Sequence, residues 1–360
     1  MTTHIAAPLL PLDADPRTAT GRTLGWGVVS TGRIARKVTP DIASLEDSRL
    51  VAVSSRSQEK ADAFARDVGA ERAYGDAEGH SGLDRMLADP EVDVVYVASP
   101  HGQHRDHALA AIRAGKHVVC EKAFTVNAGE AREVFQAARE QKVFVMEAVW
   151  TRFQPGVQRL LRLIADGAIG EVEWVQTDLG FAAPEDPEHR IWRQDAGGGA
   201  LLDLGAYVML WPWGAMGFPS GADITARLRD GVDELSSITG SYRGGVAQMQ
   251  MSLVSSCPST ATISGTKGSI RVGAPMHSPR SAVVSLSGDA QESGQAGSEE
   301  TLEFPFTGVG YVYEMREATT RIQRGDLESP VMCWDDTLRQ MELFDNLRRQ
   351  IGVRYPNDAA

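Results

Sequence analysis

The stretch WGVVSTGRIARKV, residues 26–38, decides the fold, because an apolar run leads through a glycine-containing turn into a helical pattern. Dinucleotide-binding turns follow the pattern G-x-G-x-x-G/A, whose glycines let a pyrophosphate approach the helix N-terminus. The corresponding positions here are Ser30, Gly32 and Ala35, so one glycine is replaced. A tight strand-to-helix turn without a ligand is the alternative. The phosphate-binding residues predicted from this stretch are Ser30, Thr31, Gly32, Arg33 and Ile34.

The residues that follow, up to about position 146, alternate short valine-rich runs with helix-length amphipathic stretches. The runs LVAVSS (50–55), VDVVYVAS (92–99), KHVVCE (116–121) and KVFVME (142–147) are strand candidates. Nearly continuous apolar strands with helices between them indicate a parallel sheet covered on both faces. We therefore predict a doubly wound α/β domain of the Rossmann type over residues 23–149, preceded by a flexible polar tail over residues 1–22.

The pattern changes after residue 150 to alternating, β-branched segments separated by short turns. EVEWVQTDL (171–179), VAQMQMSLV (246–254) and TATISG (260–265) are examples. Such alternation is typical of antiparallel strands with one solvated face. We predict a second domain over residues 150–360, with a mostly antiparallel sheet and two closing helices at about 311–324 and 335–351.

Composition excludes several classes of function. The formal net charge is −12 and no basic stripe is present, which disfavours a nucleic-acid partner. No apolar run reaches the roughly 18 residues that a membrane span needs, and the first residues lack the pattern of a secretory signal. The widely spaced Cys120, Cys257 and Cys333 suggest neither a disulfide framework nor a metal cluster, so a reducing cytoplasm is the simplest compartment.

The end of the second strand predicts which nicotinamide cofactor binds. An acid about twenty residues beyond the glycines usually binds the ribose 2′-hydroxyl of NAD, whereas an arginine accommodates the 2′-phosphate of NADP. LVAVSSRS (50–57) contains no acid and places Ser55 and Arg56 at this point. We therefore expect NADP rather than NAD, with a solvated surface arginine as the alternative.

Polar residues also follow the fourth and fifth strands, and ligands of doubly wound sheets lie at the carboxyl ends of strands. VYVASPHGQHRDH (95–107) places Ser99, His101 and His104 there. We expect both histidines to orient the nicotinamide or the substrate rather than bind a metal, because no third ligand follows at suitable spacing. VVCEKAF (118–124) places Glu121 and Lys122 at the next strand end, as further cofactor contacts or as an incidental ion pair.

A helix that follows three glycines supplies the candidate acid/base group. In GGGALLDLGAY (197–207), Asp203 and Tyr207 are four residues apart and so project from one helix face. A tyrosine near an ammonium has its pKa lowered, and oxidising an alcohol requires removal of the hydroxyl proton. Lys122, Asp203 and Tyr207 together provide such a set, although a helix-start carboxylate and an ordinary packed tyrosine are equally good interpretations.

Eight motifs, in this order, resemble the glucose-fructose oxidoreductase and inositol dehydrogenase family over about residues 24–356. The motifs are STGRIA, SSRS, ASPHGQH, AGKHVVCEKAF, EAVWTRF, GGGALLDLGAY, ISGTKGSI and IGVRYP. The sequence looks most like the branch with dimeric dihydrodiol dehydrogenases and NADP-dependent D-xylose dehydrogenases. The resemblance implies a C-terminal α/β domain for substrate binding and oligomerisation, whose open sheet makes a homodimer contact.

The resemblance also implies roles for single residues. Lys122 corresponds to the lysine of the family's Glu-Lys-Pro motif, Asp203 to its helix aspartate and Tyr207 to its acid/base residue. The proline of that motif is Ala123 here. A cis bond before a residue other than proline costs about 3–4 kcal/mol, so we expect a trans bond or a different local loop. Arg152 resembles a substrate-pocket position.

The function expected from sequence is hydride transfer between NADP and a sugar, cyclic polyol or diol, or the matching carbonyl. The substrate-binding residues expected are Arg152, Phe153, Trp192, Asp203 and Tyr207. A structural ion pair for Arg152 and a core position for Trp192 are the alternatives. Reduction of a non-sugar carbonyl or imine, a glycosidase with a bound NAD and a non-catalytic sensor are the other functions considered.

Overall fold

The computed structural model describes residues 14–77, 79–288 and 297–358, which divide into two compact units. The N-terminal unit takes its described residues from Leu10–Trp150 and Phe306–Glu342. The C-terminal unit takes them from Thr151–Pro305 and Leu343–Ala360. Each unit contains one sheet.

The sheet of the N-terminal unit consists, within the described residues, of six parallel strands. They are β1 (Leu24–Val29), β2 (Ser48–Ser54), β3 (Arg72–Tyr74), β4 (Val94–Val97), β5 (His117–Glu121) and β6 (Val145–Ala148). The spatial order is β3-β2-β1-β4-β5-β6, which reverses direction between β1 and β4. The valines of β1, β2, β4 and β5 are buried, because helices cover both faces of a doubly wound sheet.

Five α-helices lie between these strands in the described residues, and three of them have a side-chain cap. They are α1 (Arg33–Ala43), α2 (Gln58–Val68), α3 (Gly82–Leu87), α4 (His104–Arg113) and α5 (Ala128–Gln141). The side chains of Ser57, Ser81 and Asn127 accept a hydrogen bond from the amide three residues later, so each satisfies a donor that the helix leaves open. The predicted Rossmann-type sheet is confirmed.

The C-terminal unit contains an eight-stranded sheet in the described part of the chain. Its elements are α6 (Pro155–Ala165), β7 (Val172–Gly180), α7 (Ala200–Met216), β8 (Gly221–Arg229), β9 (Val232–Ser241), β10 (Val246–Ser252), β11 (Ala261–Gly265), β12 (Gly268–Val272), β13 (Ser281–Leu286) and β14 (Ser298–Glu303). The order is β14-β13-β12-β11-β7-β10-β9-β8, and only β7 and β10 pair in parallel. The predicted mostly antiparallel sheet is therefore confirmed.

Residues alternate between the two faces of this sheet. On β7, Val175 and Thr177 are buried under α7, whereas Trp174 and Gln176 are exposed. Helix α7 is itself apolar and buried along most of its length, because it packs against the inner face of the sheet. Trp174 and Val246 on the outer face of the sheet are exposed among the residues that the structure describes.

The compact units do not follow the domain boundaries expected from sequence. Helix α8 (Val312–Arg324) and the first half of α9 (Trp334–Ile351) belong to the N-terminal unit. The buried guanidinium of Arg316 pairs with Asp47 at 2.6 Å, and the indole N–H of Trp334 donates to the Val145 carbonyl at 2.9 Å. These contacts join the segment 306–342 to β6 and to the residue that precedes β2.

The expected flexible tail needs a similar correction. The carbonyl of Pro16 accepts a hydrogen bond from Nε of Arg316 at 2.7 Å, and the amide of Thr20 donates to Asp47 at 2.7 Å. Residues 14–22 are therefore held by the N-terminal unit, while residues 1–13 lie outside the described residues. No helix in the described ranges has the length and apolar character that crossing a membrane demands.

Candidate active site

The glycine-containing turn joins β1 to α1 at the edge where the strand order reverses. Ser30 occupies the position that glycine usually takes and has a φ of 85°, a conformation that glycine adopts at little cost. Gly32 precedes the helix, which has no side-chain cap and no acid in its first turn. The first amides of α1 are thus suited to an anion, which is the predicted role of residues 30–34.

The end of β2 carries the predicted 2′-phosphate site. Ser55 is half-buried and Arg56 is exposed, and residues 48–57 contain no acid. The amide of Ser57 lies 3.4 Å from Oγ of Ser55, and Ser57 caps α2. The guanidinium of Arg56 therefore projects from a short turn between β2 and α2, where no carboxylate of the same segment competes for it.

The end of β5 brings Lys122 to the same edge of the sheet. Glu121 is buried, and its Oε1 accepts a hydrogen bond from the hydroxyl of Tyr96 on β4 at 2.5 Å. Lys122 is half-buried, and its amide lies 3.3 Å from Oε2 of Glu121. The peptide bond between Lys122 and Ala123 is cis, contrary to the expectation of a trans bond or a different loop.

Two histidines contact the backbone on either side of this bond. Nε2 of His101 lies 3.1 Å from the Lys122 carbonyl oxygen, and Nδ1 of His104 lies 2.9 Å from that of Ala123. The other ring nitrogen of His104 lies 2.7 Å from the Ser99 carbonyl oxygen. Burial lowers the pKa of His104 to about 4, so the ring is neutral at pH 7 and donates only one N–H.

The histidines and Ser99 therefore lie after the carboxyl end of β4, as predicted. Their hydrogen-bond partners are other protein groups, which the sequence did not predict. His104 is fully buried, which suits a side chain that supports the backbone rather than one that contacts a cofactor. Oγ of Ser99 lies 2.9 Å from Nδ1 of His107, a histidine that the sequence analysis did not select. Within the described residues, no group of three or more His, Cys, Asp or Glu could hold a metal ion.

Two of the three glycines before α7, Gly198 and Gly199, have no room for a side chain. A Cβ on Gly198 would lie 2.5 Å from the Ile191 carbonyl oxygen. Gly199 has a φ of 108°, and a Cβ there would lie 2.3 Å from Oδ1 of Asp233. Oδ2 of Asp233 accepts a hydrogen bond from the amide of Leu201 at 2.9 Å, so a carboxylate from β9 caps the helix.

Asp203 and Tyr207 share one face of α7, as their spacing predicts. Asp203 is buried and its Oδ1 pairs with the guanidinium of Arg190 at 3.1 Å. Tyr207 is half-buried, and its ring lies 5.1 Å from the ring of His277, centroid to centroid. The carbonyl of His277 accepts a hydrogen bond from Oγ1 of Thr151 at 2.7 Å, which fixes the loop beside the tyrosine.

The remaining predicted substrate residues lie in the same unit but are largely enclosed. The guanidinium of Arg152 is 4.5 Å from the ring centroid of Trp213, and Phe153 is buried. Trp192 is buried too, with its indole N–H donating to the Pro184 carbonyl at 2.6 Å and Arg229 stacked on its ring at 4.5 Å. These contacts favour a packing role for Trp192, and the substrate contacts stay predictions.

Sequence reasoning missed four residues beside the predicted ones. They are Arg190, His277, Asp233 and His107. The motif HRIWRQDAGGG (189–199) leads into α7 and contains Arg190, so its basic residues were a usable signal. No local pattern points to Asp233 or His277, because each meets its partner across more than thirty residues of chain.

Comparison with known proteins gives a family match for the main part of each unit. Residues 24–149 match the model of an oxidoreductase family with an NAD-binding Rossmann fold, and residues 157–271 match the GFO/IDH/MocA C-terminal domain. Among solved structures, aldose-aldose oxidoreductase from Caulobacter crescentus superimposes with a TM-score of 0.78 and 25% identity. That superposition covers 91% of this chain and 97% of the other.

Two curated relatives match nearly the whole chain. Trans-1,2-dihydrobenzene-1,2-diol dehydrogenase of Mus musculus is 35% identical over 341 residues, covering 93% of this chain and 99% of the relative. D-xylose 1-dehydrogenase (NADP(+)) of Hypocrea jecorina is 33% identical over 378 residues, covering 93% of each. With both family models matched in order and these relatives aligned end to end, the chain belongs to the GFO/IDH/MocA family of oxidoreductases.

Proposed function

We propose that this protein is an NADP-dependent oxidoreductase of a cyclic compound with adjacent hydroxyl groups, such as a sugar, polyol or diol, or of the matching carbonyl. The observation that carries the proposal is the half-buried Tyr207 on the face of α7 that also presents Asp203. A phenol in that setting is a general acid/base candidate. The two relatives named for a diol and for D-xylose support the substrate class, because both compounds carry adjacent hydroxyls.

In the proposed mechanism, Tyr207 takes the proton from the substrate hydroxyl during oxidation and returns it during reduction. The ammonium of Lys122 stabilises the tyrosinate and polarises the substrate oxygen. Asp203, whose carboxylate Arg190 holds at 3.1 Å, accepts a hydrogen bond from a second substrate hydroxyl. The nicotinamide, when bound, supplies or accepts the hydride.

The preference for NADP rests on Arg56 and Ser55. An exposed guanidinium beside a hydroxyl offers charge-assisted donors to a 2′-phosphate, and no acid in residues 48–57 repels it. The relative named as an NADP(+) enzyme supports the same preference. The Rossmann-type unit itself is compatible with either nicotinamide cofactor.

We further propose a homodimer through the open face of the eight-stranded sheet. Trp174 on β7 and Val246 on β10 are neighbours in register and both are exposed. The next row of this face contains Gln176 and Gln248, which are uncharged. Trp174→Glu should shift the molar mass from dimer to monomer in sedimentation velocity, and a wild-type protein that sediments as a monomer would contradict the proposal.

The odd and widely spaced set of three cysteines is the basis for predicting a reducing compartment such as the cytoplasm. We keep that placement as a prediction. Small-molecule substrates remain the expected partners.

The first experiment measures absorbance at 340 nm with NADP or NAD and a panel of aldoses, inositols and cyclic diols, and with NADPH and carbonyls or imines. Tyr207→Phe should lower kcat at least about a hundredfold while NADPH affinity stays within about twofold. An unchanged rate in this variant would remove Tyr207 from its role. Release of a sugar without net absorbance change would instead favour the glycosidase with a bound NAD.

Cofactor preference needs its own variant. Arg56→Ala should weaken NADPH binding about ten- to a hundredfold and leave NADH binding unchanged, because it removes charge-assisted hydrogen bonds. Arg66→Ala, which removes an exposed arginine at the other end of α2, is the matched control. Equal losses for both cofactors would show that Arg56 does not read the 2′-phosphate.

A further inference from the structure

The C-terminal motif IGVRYP (351–356) folds against the turn from which α7 starts. The hydroxyl of Tyr355 donates a hydrogen bond to the Gly198 carbonyl at 2.5 Å, and both residues are buried. The carbonyl of the adjacent Arg354 accepts a hydrogen bond from Nε2 of Gln194 at 3.0 Å. The IGVRYP segment thus makes two hydrogen bonds to the loop that carries the glycines.

Tyr355 is itself held in place from the other side. Arg348 of α9 stacks on its ring at 4.7 Å, and the same guanidinium pairs with Asp358 at 2.7 Å. Asp358 also accepts the amide of Tyr355 at 2.8 Å. Burial raises the pKa of Tyr355 well above its ordinary value, so the hydroxyl stays protonated and can donate.

Backbone hydrogen bonds within the glycine turn, together with the hydrogen bond from Tyr355, restrict the conformation of the turn. The amide of Gly198 donates to the Arg193 carbonyl at 2.9 Å, and the amide of Gly199 donates to the Ile191 carbonyl at 2.9 Å. The helix starts directly afterwards, with the amide of Asp203 donating to the Gly199 carbonyl at 3.2 Å. The position of the turn therefore determines the position of the first residues of α7.

From this geometry we propose that Tyr355 is a positioning residue for the reaction, which acts through Gly198 to hold Asp203 and Tyr207 in their working orientation. Asp203 lies in the first turn and a half of α7, and Tyr207 lies one turn further on the same face. A displaced helix start would move both side chains together. The proposal rests on the proposed function in that Tyr207 must be the acid/base group.

The test uses Tyr355→Phe in the full-length protein, which removes the hydroxyl and keeps the ring that packs on Arg348. The matched control is Tyr313→Phe in the N-terminal unit, where a tyrosine hydroxyl also meets a backbone group, the amide of Thr307 at 2.9 Å. We expect Tyr355→Phe to lower kcat about five- to twentyfold with NADPH affinity unchanged. Tyr313→Phe should leave kcat within about twofold.

A second measurement separates positioning from a general loss of structure. In the Tyr207→Phe background, Tyr355→Phe should cause a smaller fold loss of kcat than in wild type, because only Asp203 then remains to be positioned. Additive losses would overturn the proposal, as would a wild-type kcat in the single variant.

A third measurement keeps the proposal testable if Tyr207 proves not to be catalytic. Amide hydrogen exchange of the peptide covering residues 200–207 should become at least about fivefold faster in Tyr355→Phe and stay unchanged in Tyr313→Phe. Unchanged exchange in both variants would show that the hydroxyl does not hold the helix start. Faster exchange together with a fully active Tyr207→Phe would refute the acid/base assignment and, with it, the positioning of that group.

Discussion

Asp233, the carboxylate that caps α7, makes the stability of the C-terminal unit depend on pH. Burial raises its pKa from 3.8 to about 6, against the lowering effect of hydrogen bonds from Ser236 and Leu201. The folded protein therefore keeps this proton over a pH range in which the unfolded chain has released it. The free energy of unfolding consequently falls as the pH rises from about 4 to about 7. The difference between the two pKa values corresponds to about 3 kcal/mol.

Asp233→Asn removes this titration while the amide oxygen can still accept the hydrogen bond from Leu201. Relative to wild type, the variant should gain about 3 kcal/mol in its free energy of unfolding between pH 4 and pH 7. Urea unfolding followed by tryptophan fluorescence at half-unit pH steps measures this difference directly. Measuring the activity of Asp233→Asn and wild type at the same pH values shows whether α7, which carries Tyr207, keeps its function with an uncharged cap.

Asp166→Asn is the control for this experiment, because Asp166 is an exposed carboxylate of the same unit. The free energy of unfolding of this variant should differ from that of wild type by the same amount at every pH. If the difference in free energy of unfolding between Asp233→Asn and wild type is also independent of pH, Asp233 does not hold a proton in the folded state. That result would refute the reasoning.

Three further predictions concern the N-terminal unit. Burial alone would raise the pKa of Asp47, but hydrogen bonds led by that from Arg316 hold it below its usual value. Arg316→Met should therefore lower the free energy of unfolding by about 3–5 kcal/mol at pH 7, and by less as the pH falls through about 4; a loss independent of pH in urea titrations would argue against this pair. Ser30→Gly should raise that free energy by about 1 kcal/mol, since it relieves the positive φ, and a lower melting temperature would refute it. Burial, together with Glu121 and Asp41, raises the pKa of Glu314 well above its ordinary value. The melting temperature of Glu314→Gln should therefore lie within about 3 °C of that of wild type at pH 6, and above that of wild type at pH 9. A much lower melting temperature of the variant at pH 6 would show that the carboxylate is charged.

Local patterns were enough to predict both sheets. Valine-rich runs with helices between them have one good packing solution, the parallel sheet with two covered faces. The spacing of Asp203 and Tyr207 placed them on one helix face, and α7 spans both positions. The positions of Arg56 and Lys122 just after β2 and β5 followed from the same alternation.

The rest depended on contacts that a local pattern does not record. The amphipathic face of a helix indicates that it is buried but not which sheet buries it, so the assignment of α8 to the N-terminal unit required the Arg316–Asp47 pair. The cap from Asp233 and the hydrogen bond from Tyr355 join residues about 30 and 157 positions apart in the chain. The cis bond before Ala123 has no signal in its residue types.

Because residues 306–342 belong to the N-terminal unit, that unit cannot be completed early in protein synthesis. Synthesis delivers domains from the N-terminus onward, and a self-contained N-terminal domain can fold while the ribosome is still working. Here Asp47 cannot form its ion pair until Arg316 has been synthesised. The Val145 carbonyl likewise cannot accept its hydrogen bond until Trp334 has been synthesised. The nascent chain therefore holds an incomplete N-terminal unit until residues 306–342 have been synthesised.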